Sequence, residues 1–349
     1  MSTYLVTGAN GFVGAALCTR LLQEGHSVRM VARRALSAPR EHEQRASTHV
    51  VSLGDPNALA ELAQGVEVVY HCAAENSPRA HPAAFGWINV AATENVVNAA
   101  RHAGVKRLVH LSCTDATLVN GDRLNWRETH PMGEAPLDAL CKSRLLGEEL
   151  AVQANDRRLQ ICALRPAWVW GPGDRTLLPA LCREAQRGRV SLCGNGENLV
   201  ATVHIDNLVH ALRLADSAEG APGKVFHVLD AEAQTAREFI GGLCERLCLP
   251  EPRRGSFALA YAAAQLAEWF GLGGRTRSDV IRRGRGSLFD GMAAANDLGY
   301  QAVISVSEGM QALASWAAAV GGRDAIAQLT RNVTSQEDIQ AMIALADAS

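Results

Sequence analysis

One unit recurs through the first half of the chain: a short apolar run, a turn, and a stretch with helical spacing. Apolar runs lie at residues 4–6, 28–31, 50–51, 66–70, 107–111 and 160–164, with candidate helices between them at 15–24, 58–64, 90–101 and 138–152. Strands that are apolar on both faces are typical of a parallel sheet covered by helices on both sides. The alternation therefore predicts an α/β fold built on a doubly wound parallel sheet.

The regular alternation ends after Pro166. Glycine-rich turns follow at 171–174 and 194–196, and helical runs lie at 177–187, 205–215 and 236–247 without a clear strand between them. We predict a dinucleotide-binding domain over 1–170, a smaller substrate domain over 171–320 and a helical tail over 321–349. Part of 198–230 is expected to return to the sheet.

The tail begins at a glycine pair, Gly321–Gly322, which we interpret as a hinge. Ser335 and Asp338 then form a candidate capping box ahead of an apolar helical face. We expect this helix to dock on its own domain or on a sister subunit, so the sequence leaves a homodimer open.

Composition removes several functional classes. The 349 residues carry a net charge of −2, which argues against nucleic acid as the main partner. The start of the chain has no basic and apolar leader, and the most apolar stretch, 257–272, contains Gln265 and Glu268 and is shorter than the ~20 residues of a spanning helix. The nine cysteines form no C-x-x-C pair, which indicates reduced thiols in a cytoplasmic protein and no metal site.

The turn between the first strand and the first helix is rich in glycine. Glycine lets the backbone approach a pyrophosphate, and the helix N-terminus supplies N–H groups and the positive end of a dipole. We therefore predict a Rossmann-like dinucleotide site. Its candidate residues in this turn are Gly8, Asn10, Gly11, Phe12, Val13 and Gly14.

The second strand ends without an acidic residue. An NAD site normally has Asp or Glu there to bind the ribose 2′-hydroxyl, whereas this chain has Arg33 and Arg34. Two guanidinium groups suit a 2′-phosphate, so NADP(H) is favoured over NAD(H). The alternative is that both arginines are solvated surface residues.

Further motifs resemble one enzyme family. The spacing of Gly8, Gly11 and Gly14 is similar to that of the extended short-chain dehydrogenases/reductases of the NAD-dependent epimerase/dehydratase superfamily. The resemblance continues through residues 71–74, 89–95, 164–174, 203–208 and 296–300, covers about residues 1–318, and is nearest to the 3β-hydroxysteroid dehydrogenase/isomerase branch. It implies further cofactor contacts from Cys72, Ala73, Ala74, Ser112, Lys142, Pro166 and Val169.

The resemblance also implies three catalytic positions. In that family a Tyr four residues before a Lys transfers the proton, and a Ser or Thr after the fifth strand polarises the same oxygen. Lys142 fits the lysine and Thr114 fits the hydroxyl. The tyrosine position is then Asp138, and no tyrosine occurs between residues 71 and 260.

An aspartate at that position leaves three interpretations. An ordinary Asp pKa of about 3.9 would have to rise by roughly three units for proton donation at neutral pH. In the first interpretation, the chain is an NADP(H)-dependent oxidoreductase with a different proton donor. The proton comes from Thr114, from a water relayed by Asp138, or from a histidine. The histidines considered are His110, His130 and His204.

The second interpretation makes the Asp138 carboxylate the base of a non-redox isomerase, dehydratase or cyclase, with the nucleotide bound structurally. The third is an inactive NADP-binding module in which Asp138 and Lys142 form an ordinary ion pair one helical turn apart.

On the substrate side, the resemblance implies a bulky apolar hydroxyl or keto compound. Trp168 and Trp170 are candidates for an apolar wall, with core packing as the alternative. Residues 257–270 have the spacing of an amphipathic helix, which we expect to pack on the domain; covering a pocket or touching a membrane are the alternatives. A basic run from Arg275 to Arg285 is either a solvated face or a site for coenzyme A or a carrier-protein arm.

Overall fold

The computed structural model describes residues 2–34, 43–77, 80–130, 137–272 and 275–329. The candidate capping box of the tail, Ser335 and Asp338, lies outside the described residues.

Thirteen strands are present in the described residues: β1 Thr3–Thr7, β2 Ser27–Ala32, β3 Ala46–Val50, β4 Val68–His71, β5 Arg107–Leu111, β6 Arg123–Trp126, β7 Gln160–Pro166, β8 Trp168–Trp170, β9 Leu199–Val200, β10 Thr202–His204, β11 Val225–Val228, β12 Gln234–Thr235 and β13 Ser287–Phe289. Seven of them form one sheet in the order β11-β7-β5-β4-β1-β2-β3. All six pairings in this sheet are parallel. The predicted Rossmann-like, doubly wound α/β fold is confirmed.

The described helices are α1 Phe12–Gln23, α2 Pro56–Ala63, α3 Pro82–Phe85, α4 Ala92–His102, α5 Ala139–Gln153, α6 Leu177–Gln186, α7 Ile205–Ala215, α8 Ala236–Arg246, α9 Phe257–Trp269, α10 Arg277–Gly284, α11 Met292–Leu298, α12 Val306–Ala319 and α13 Gly322–Gln328. A π-helical segment, Gly86–Ala91, leads into α4, and a 3₁₀ turn, Thr114–Thr117, follows β5.

Successive side chains of a strand point to opposite faces of the sheet. Both faces of this sheet therefore carry apolar side chains, and helices cover both. In β1, Val6 belongs to the core shared with α1, α7 and α11, whereas its neighbour Leu5 belongs to the core shared with α2, α4 and α5. Both side chains are almost fully buried. Because all the strands are parallel, their carboxyl ends lie at the same edge of the sheet. Ligands of such sheets bind at this edge.

A second core lies beside that edge. Helices α6, α8, α12 and α13 pack around the buried rings of Trp170 and Phe239, which meet edge to face at 5.6 Å. Short strands separate the helices here, although the sequence shows no clear strand between them. They have only two to four residues, which is too short to show a period in the sequence.

Helix α9 packs on the domain as expected, but only through a narrow face around Ala264, which shares a small buried cluster with Cys193 and Val280. Ala264 is the one fully buried residue within it, and the large side chains of Leu259, Leu266 and Trp269 are mostly exposed. The apolar surface continues through Phe270. Among the described residues, no helix combines the length and the apolar character needed to cross a bilayer.

Candidate active site

The glycine turn between β1 and α1 is shaped by two close backbone approaches. Gly8 has a φ of +69°, and a Cβ there would lie 2.7 Å from the Ala73 nitrogen. A Cβ on Gly14 would lie 2.3 Å from the Gly8 carbonyl oxygen. The N-cap residue of α1 is Gly11, and no side chain accepts a hydrogen bond from the first turn of the helix. The first N–H groups of α1 therefore remain available to a phosphate.

A cavity of about 720 Å³ opens beside this turn, at the carboxyl ends of the sheet strands. It is lined by nearly all the residues predicted to hold the cofactor: Gly8, Asn10, Gly11, Phe12, Val13, Gly14, Arg33, Cys72, Ala73, Ala74, Ser112, Pro166 and Val169. Thr114 lines it as well. Arg34 and Lys142, from the same predictions, do not.

The end of β2 places its two arginines differently. Ala32 is buried at the position where an acid would bind a 2′-hydroxyl, and Arg33 lines the cavity just beyond it. Arg34 is exposed on the surface outside the cavity. Of the two arginines, Arg33 is therefore the one that lines the cavity.

Two histidines lie buried in β4 and β5, two strands whose ends lead to the cavity. The Nδ1 of His71 is 2.7 Å from the Thr7 hydroxyl and its Nε2 is 3.0 Å from the Thr93 hydroxyl. Burial, assisted by the nearby Arg144 charge, lowers the pKa of His71 to about 3. Burial, with His71 and Arg144 adding to it, also holds the pKa of His110 well below its usual range. Both rings are therefore neutral at physiological pH.

None of the three histidines considered for proton delivery lines the cavity. His110 is buried beside His71, with ring centres 5.3 Å apart. His130 is exposed and stacks near Trp126, and His204 is buried at the start of α7.

Helix α5 begins directly after Asp138, and this determines which groups that carboxylate contacts. Asp138 is the N-cap residue: one carboxylate oxygen accepts a hydrogen bond from the Cys141 backbone nitrogen at 2.8 Å, and the other accepts one from the Ser278 hydroxyl. Lys142, on the next turn, is exposed. The structure thus departs from the sequence-based expectation, since neither Asp138 nor Lys142 reaches the cavity.

The residues of α5 that do face the cavity include Leu140 and Arg144. They are also four residues apart, and both are buried. The Arg144 Nη2 donates to the Leu111 carbonyl oxygen, at the end of β5, over 2.7 Å. Sequence reasoning missed this register. The buried face of the helix, at residues 140, 144, 147, 148 and 151, includes an arginine and a glutamate, so it gives no apolar pattern in the sequence.

Two contacts set this register. Glu148 accepts two hydrogen bonds from the guanidinium of Arg165 on β7, at 2.5 and 2.7 Å. A Cβ on Gly147 would lie 1.9 Å from the Asn89 carbonyl oxygen, so the helix touches the π-helical segment backbone to backbone. Arg144, one turn before both residues, is turned toward the cavity as a result.

The same ion pair continues into the sheet. Arg165 Nη1 lies 3.5 Å from the Glu128 carbonyl oxygen, and the Glu128 carboxylate accepts a hydrogen bond from the backbone nitrogen of His227 at 2.8 Å. A chain of polar contacts therefore runs from α5 through β7 to β11.

The far end of the cavity combines apolar and charged walls. Trp168 and Phe289 line it, whereas Trp170 is buried in the second core and donates to Asp230 at 2.9 Å. Arg282 enters the same wall, with Nε 2.5 Å from Asp115 and Nη1 2.7 Å from Asp279.

The basic run is largely engaged in ion pairs. Arg275 binds Glu184 through both carboxylate oxygens at 2.8 and 2.9 Å, and Arg277 binds Glu268 at 2.6 Å. Arg283 lines the cavity and lies 3.8 Å from Glu184. In the described chain, no three His, Cys, Asp or Glu residues cluster as metal ligands would.

Comparisons with known proteins agree with this geometry. The model of the NAD dependent epimerase/dehydratase family matches residues 4–228. A 2-alkyl-3-oxoalkanoate reductase of Stenotrophomonas maltophilia is 32% identical over 342 residues, covering 90% of this chain and 99% of that protein. A ketoreductase of Stigmatella aurantiaca, named for a 4-hydroxy-2-methyl-3-oxo-4-farnesyl-3,4-dihydroquinoline-1-oxide, is 31% identical over 88% of this chain and 94% of that protein. Among solved structures, MoeE5 in complex with UDP-glucose and NAD superposes with a TM-score of 0.71 at 26% identity, covering 91% of this chain and 99% of that one.

Proposed function

Since the chain belongs to the NAD dependent epimerase/dehydratase family, we propose that it is an NADP(H)-dependent oxidoreductase acting on a bulky apolar hydroxyl or keto compound, with a proton route that uses no tyrosine. The reductases among its relatives identify it as an oxidoreductase in general terms. The cofactor preference rests on one observation: Arg33 lines the cavity at the end of β2, where no acidic residue is present.

The residues of the cavity suit a dinucleotide. Gly8, Gly11 and Gly14 leave room for the pyrophosphate at the start of α1, and Arg33 would bind the 2′-phosphate. Pro166 and Val169 would flank the nicotinamide. When bound, the nicotinamide supplies the hydride chemistry, and the protein provides orientation and electrostatics.

The substrate proposed is a ketone with a large apolar body, or the matching alcohol. Trp168, Leu177 and Phe289 give the far end of the cavity an apolar surface. The relatives described above are named as reductases of 3-oxo acids and of a farnesylated ketone. An acyl chain on coenzyme A or on a carrier protein is kept as the second form of the substrate, although Arg275, Arg277 and Arg282 of the basic run already have carboxylate partners.

The proton route has to differ from that of a Tyr–Lys pair. Leu140 faces the cavity from the position four residues before Arg144, and it has no proton to transfer. Thr114 lines the cavity and remains a candidate for contacting the reacting oxygen. We propose that the proton comes from solvent water entering the cavity. The non-redox alternative with Asp138 as base is disfavoured, because Asp138 does not line the cavity and both oxygens of its carboxylate already accept hydrogen bonds.

We also propose a reducing, cytoplasmic location. All nine cysteines are free thiols, and six of them are buried. The sequence-based proposal of a homodimer is checked by light scattering of the purified protein.

The cofactor proposal is tested by titrating NADPH and NADH into the wild type, Arg33→Ala and Arg34→Ala. We expect tighter binding of NADPH, and a loss of about 10-fold or more in NADPH affinity for Arg33→Ala, since charged hydrogen bonds contribute about 1.5–3 kcal/mol. Arg34→Ala is the matched control, because its side chain lies outside the cavity. Equal NADPH and NADH affinities in the wild type would contradict the proposal.

Redox function is tested by NADPH consumption with a panel of bulky ketones, each offered free and, for 3-oxo acids, as the coenzyme A ester. Conversion of a compound without any change in nicotinamide absorbance would support the isomerase or dehydratase alternative. Tight NADPH binding with no conversion of any compound would support the inactive module.

A further inference from the structure

Two buried polar atoms on the cavity wall have no hydrogen-bond partner in the described part of the protein. They are the Ser112 hydroxyl oxygen and the Arg144 Nε. Both residues line the cavity, and they are only 2% and 5% exposed. Because a buried polar group without a partner is costly, native proteins usually supply one, and a ligand in the cavity that both residues line would be such a partner.

The two donors are held by the same strand end. Arg144 is anchored through Nη2 to the carbonyl oxygen of Leu111, and Ser112 is the next residue of the chain. The Nε of the same guanidinium has no hydrogen-bond partner in the described residues. Leu140, one turn earlier on α5, adds an apolar surface beside it.

Arg144 also has no carboxylate partner among the described residues, in contrast to Arg282 on the opposite wall. A buried charge is normally paired, because the desolvation it suffers is otherwise uncompensated. The cavity lining as a whole is positive although the chain carries −2. It contains seven arginines, Arg33, Arg123, Arg144, Arg175, Arg183, Arg282 and Arg283, against Glu75, Asp115 and Asp279.

We infer that Ser112 and Arg144 form an oxyanion site, which binds a substrate oxygen that carries a full or developing negative charge. Arginine stays protonated at all relevant pH values, so Arg144 stabilises charge and transfers no proton. The inference rests on the proposed function for its substrate. The oxygen comes either from a carboxylate, such as that of a 3-oxo acid, or from the reacting carbonyl group itself.

The test measures ligand binding separately from turnover. Decanoate and 2-decanone are titrated calorimetrically into the NADP⁺-saturated protein, in the wild type and in Arg144→Met, Ser112→Ala and Lys142→Met. Lys142→Met is the matched control, because it removes a positive charge from the exposed side of the same helix. Circular dichroism checks folding, and Arg144→Gln, which also removes the charge, replaces Arg144→Met if the latter does not fold.

If the oxygen belongs to a carboxylate, the wild type binds decanoate more tightly than 2-decanone. Arg144→Met then weakens decanoate binding by about 10- to 100-fold, and Ser112→Ala weakens it less, in line with charged and neutral hydrogen bonds. If the oxygen is the reacting one, the wild type binds the two compounds alike. Arg144→Met then lowers kcat by about 10- to 100-fold for a ketone that the wild type reduces, with little change in KM.

An Arg144→Met or Arg144→Gln protein that matches Lys142→Met in both measurements overturns the inference. So does a variant whose only defect is weaker NADP⁺ binding, since the guanidinium would then hold the cofactor ribose. Neither result touches the proposed function, whose NADPH preference is measured independently with Arg33→Ala.

Discussion

The ion pair between Glu148 and Arg165 allows a sharp prediction about what holds α5 in place. The side chains are 1% and 7% exposed, and the two hydrogen bonds between them are 2.5 and 2.7 Å long. Arg165→Met keeps most of the side-chain volume but leaves the Glu148 carboxylate buried without its partner. Breaking a buried pair in this way costs about 3–5 kcal/mol, and we expect that loss in the free energy of unfolding.

The comparison that gives this number meaning is an exposed pair of the same kind. Arg20 lies in the last turn of α1 and Glu24 is the residue directly after the helix. Their Nε and Oε1 atoms are 2.6 Å apart, but the Arg20 side chain is 57% exposed. Arg20→Met should therefore cost less than about 1 kcal/mol. Urea unfolding followed by circular dichroism measures both variants against the wild type.

A double variant completes the cycle. Glu148→Leu combined with Arg165→Met replaces the pair by apolar side chains, so it should recover most of the loss caused by Arg165→Met alone. Finding that Arg165→Met is no more destabilised than Arg20→Met would refute the reasoning. It would mean that water reaches Glu148 and that the pair does not fix the helix.

Two further predictions follow from the glycine turn and the buried histidines. Gly14→Ala should reduce cofactor affinity by at least about 10-fold in a fluorescence titration, because the new Cβ would lie 2.3 Å from the Gly8 carbonyl oxygen. Gly86→Ala is the control, because a Cβ there would have no atom within 4 Å. Equal losses of affinity in the two variants would contradict the steric argument. Burial lowers the pKa of His71 and of His227 to about 3, against about 6.5 in an unfolded chain. The unfolded state binds more protons between those values, so the free energy of unfolding should fall as the pH drops from 6.5 toward 3, by up to about 1.4 kcal/mol per pH unit for each histidine. A stability that is flat over this range would show that these rings are hydrated.

The sheet was predictable where its strands are continuous apolar runs. The run at 107–111 coincides with β5, because both faces of that strand are buried. The run at 50–51 led to a misplaced edge strand: β3 covers Ala46–Val50, and its side chains are mostly exposed and polar, so the apolar pattern does not mark it.

The candidate site was predictable only in part. The glycine turn is encoded by neighbouring residues, and its cofactor positions all line the cavity. The register of α5 is fixed instead by contacts distant in sequence, from Glu148 to Arg165 and from Gly147 to Asn89. A charged residue is ordinarily expected at the surface, so nothing local marked Arg144 as buried.

The chain of contacts from Glu148 through Arg165 and Glu128 to His227 has a mechanical consequence. These contacts link α5, which forms one wall of the cavity, to β7 and β11 of the buried sheet. We therefore expect the amide hydrogens of α5 to exchange only through large-scale unfolding. The opposite wall is built on α10, which packs against the exposed helix α9. We therefore expect the movements that admit a bulky ligand to occur in α9 and α10, and the part of α5 that carries Arg144 to keep its position.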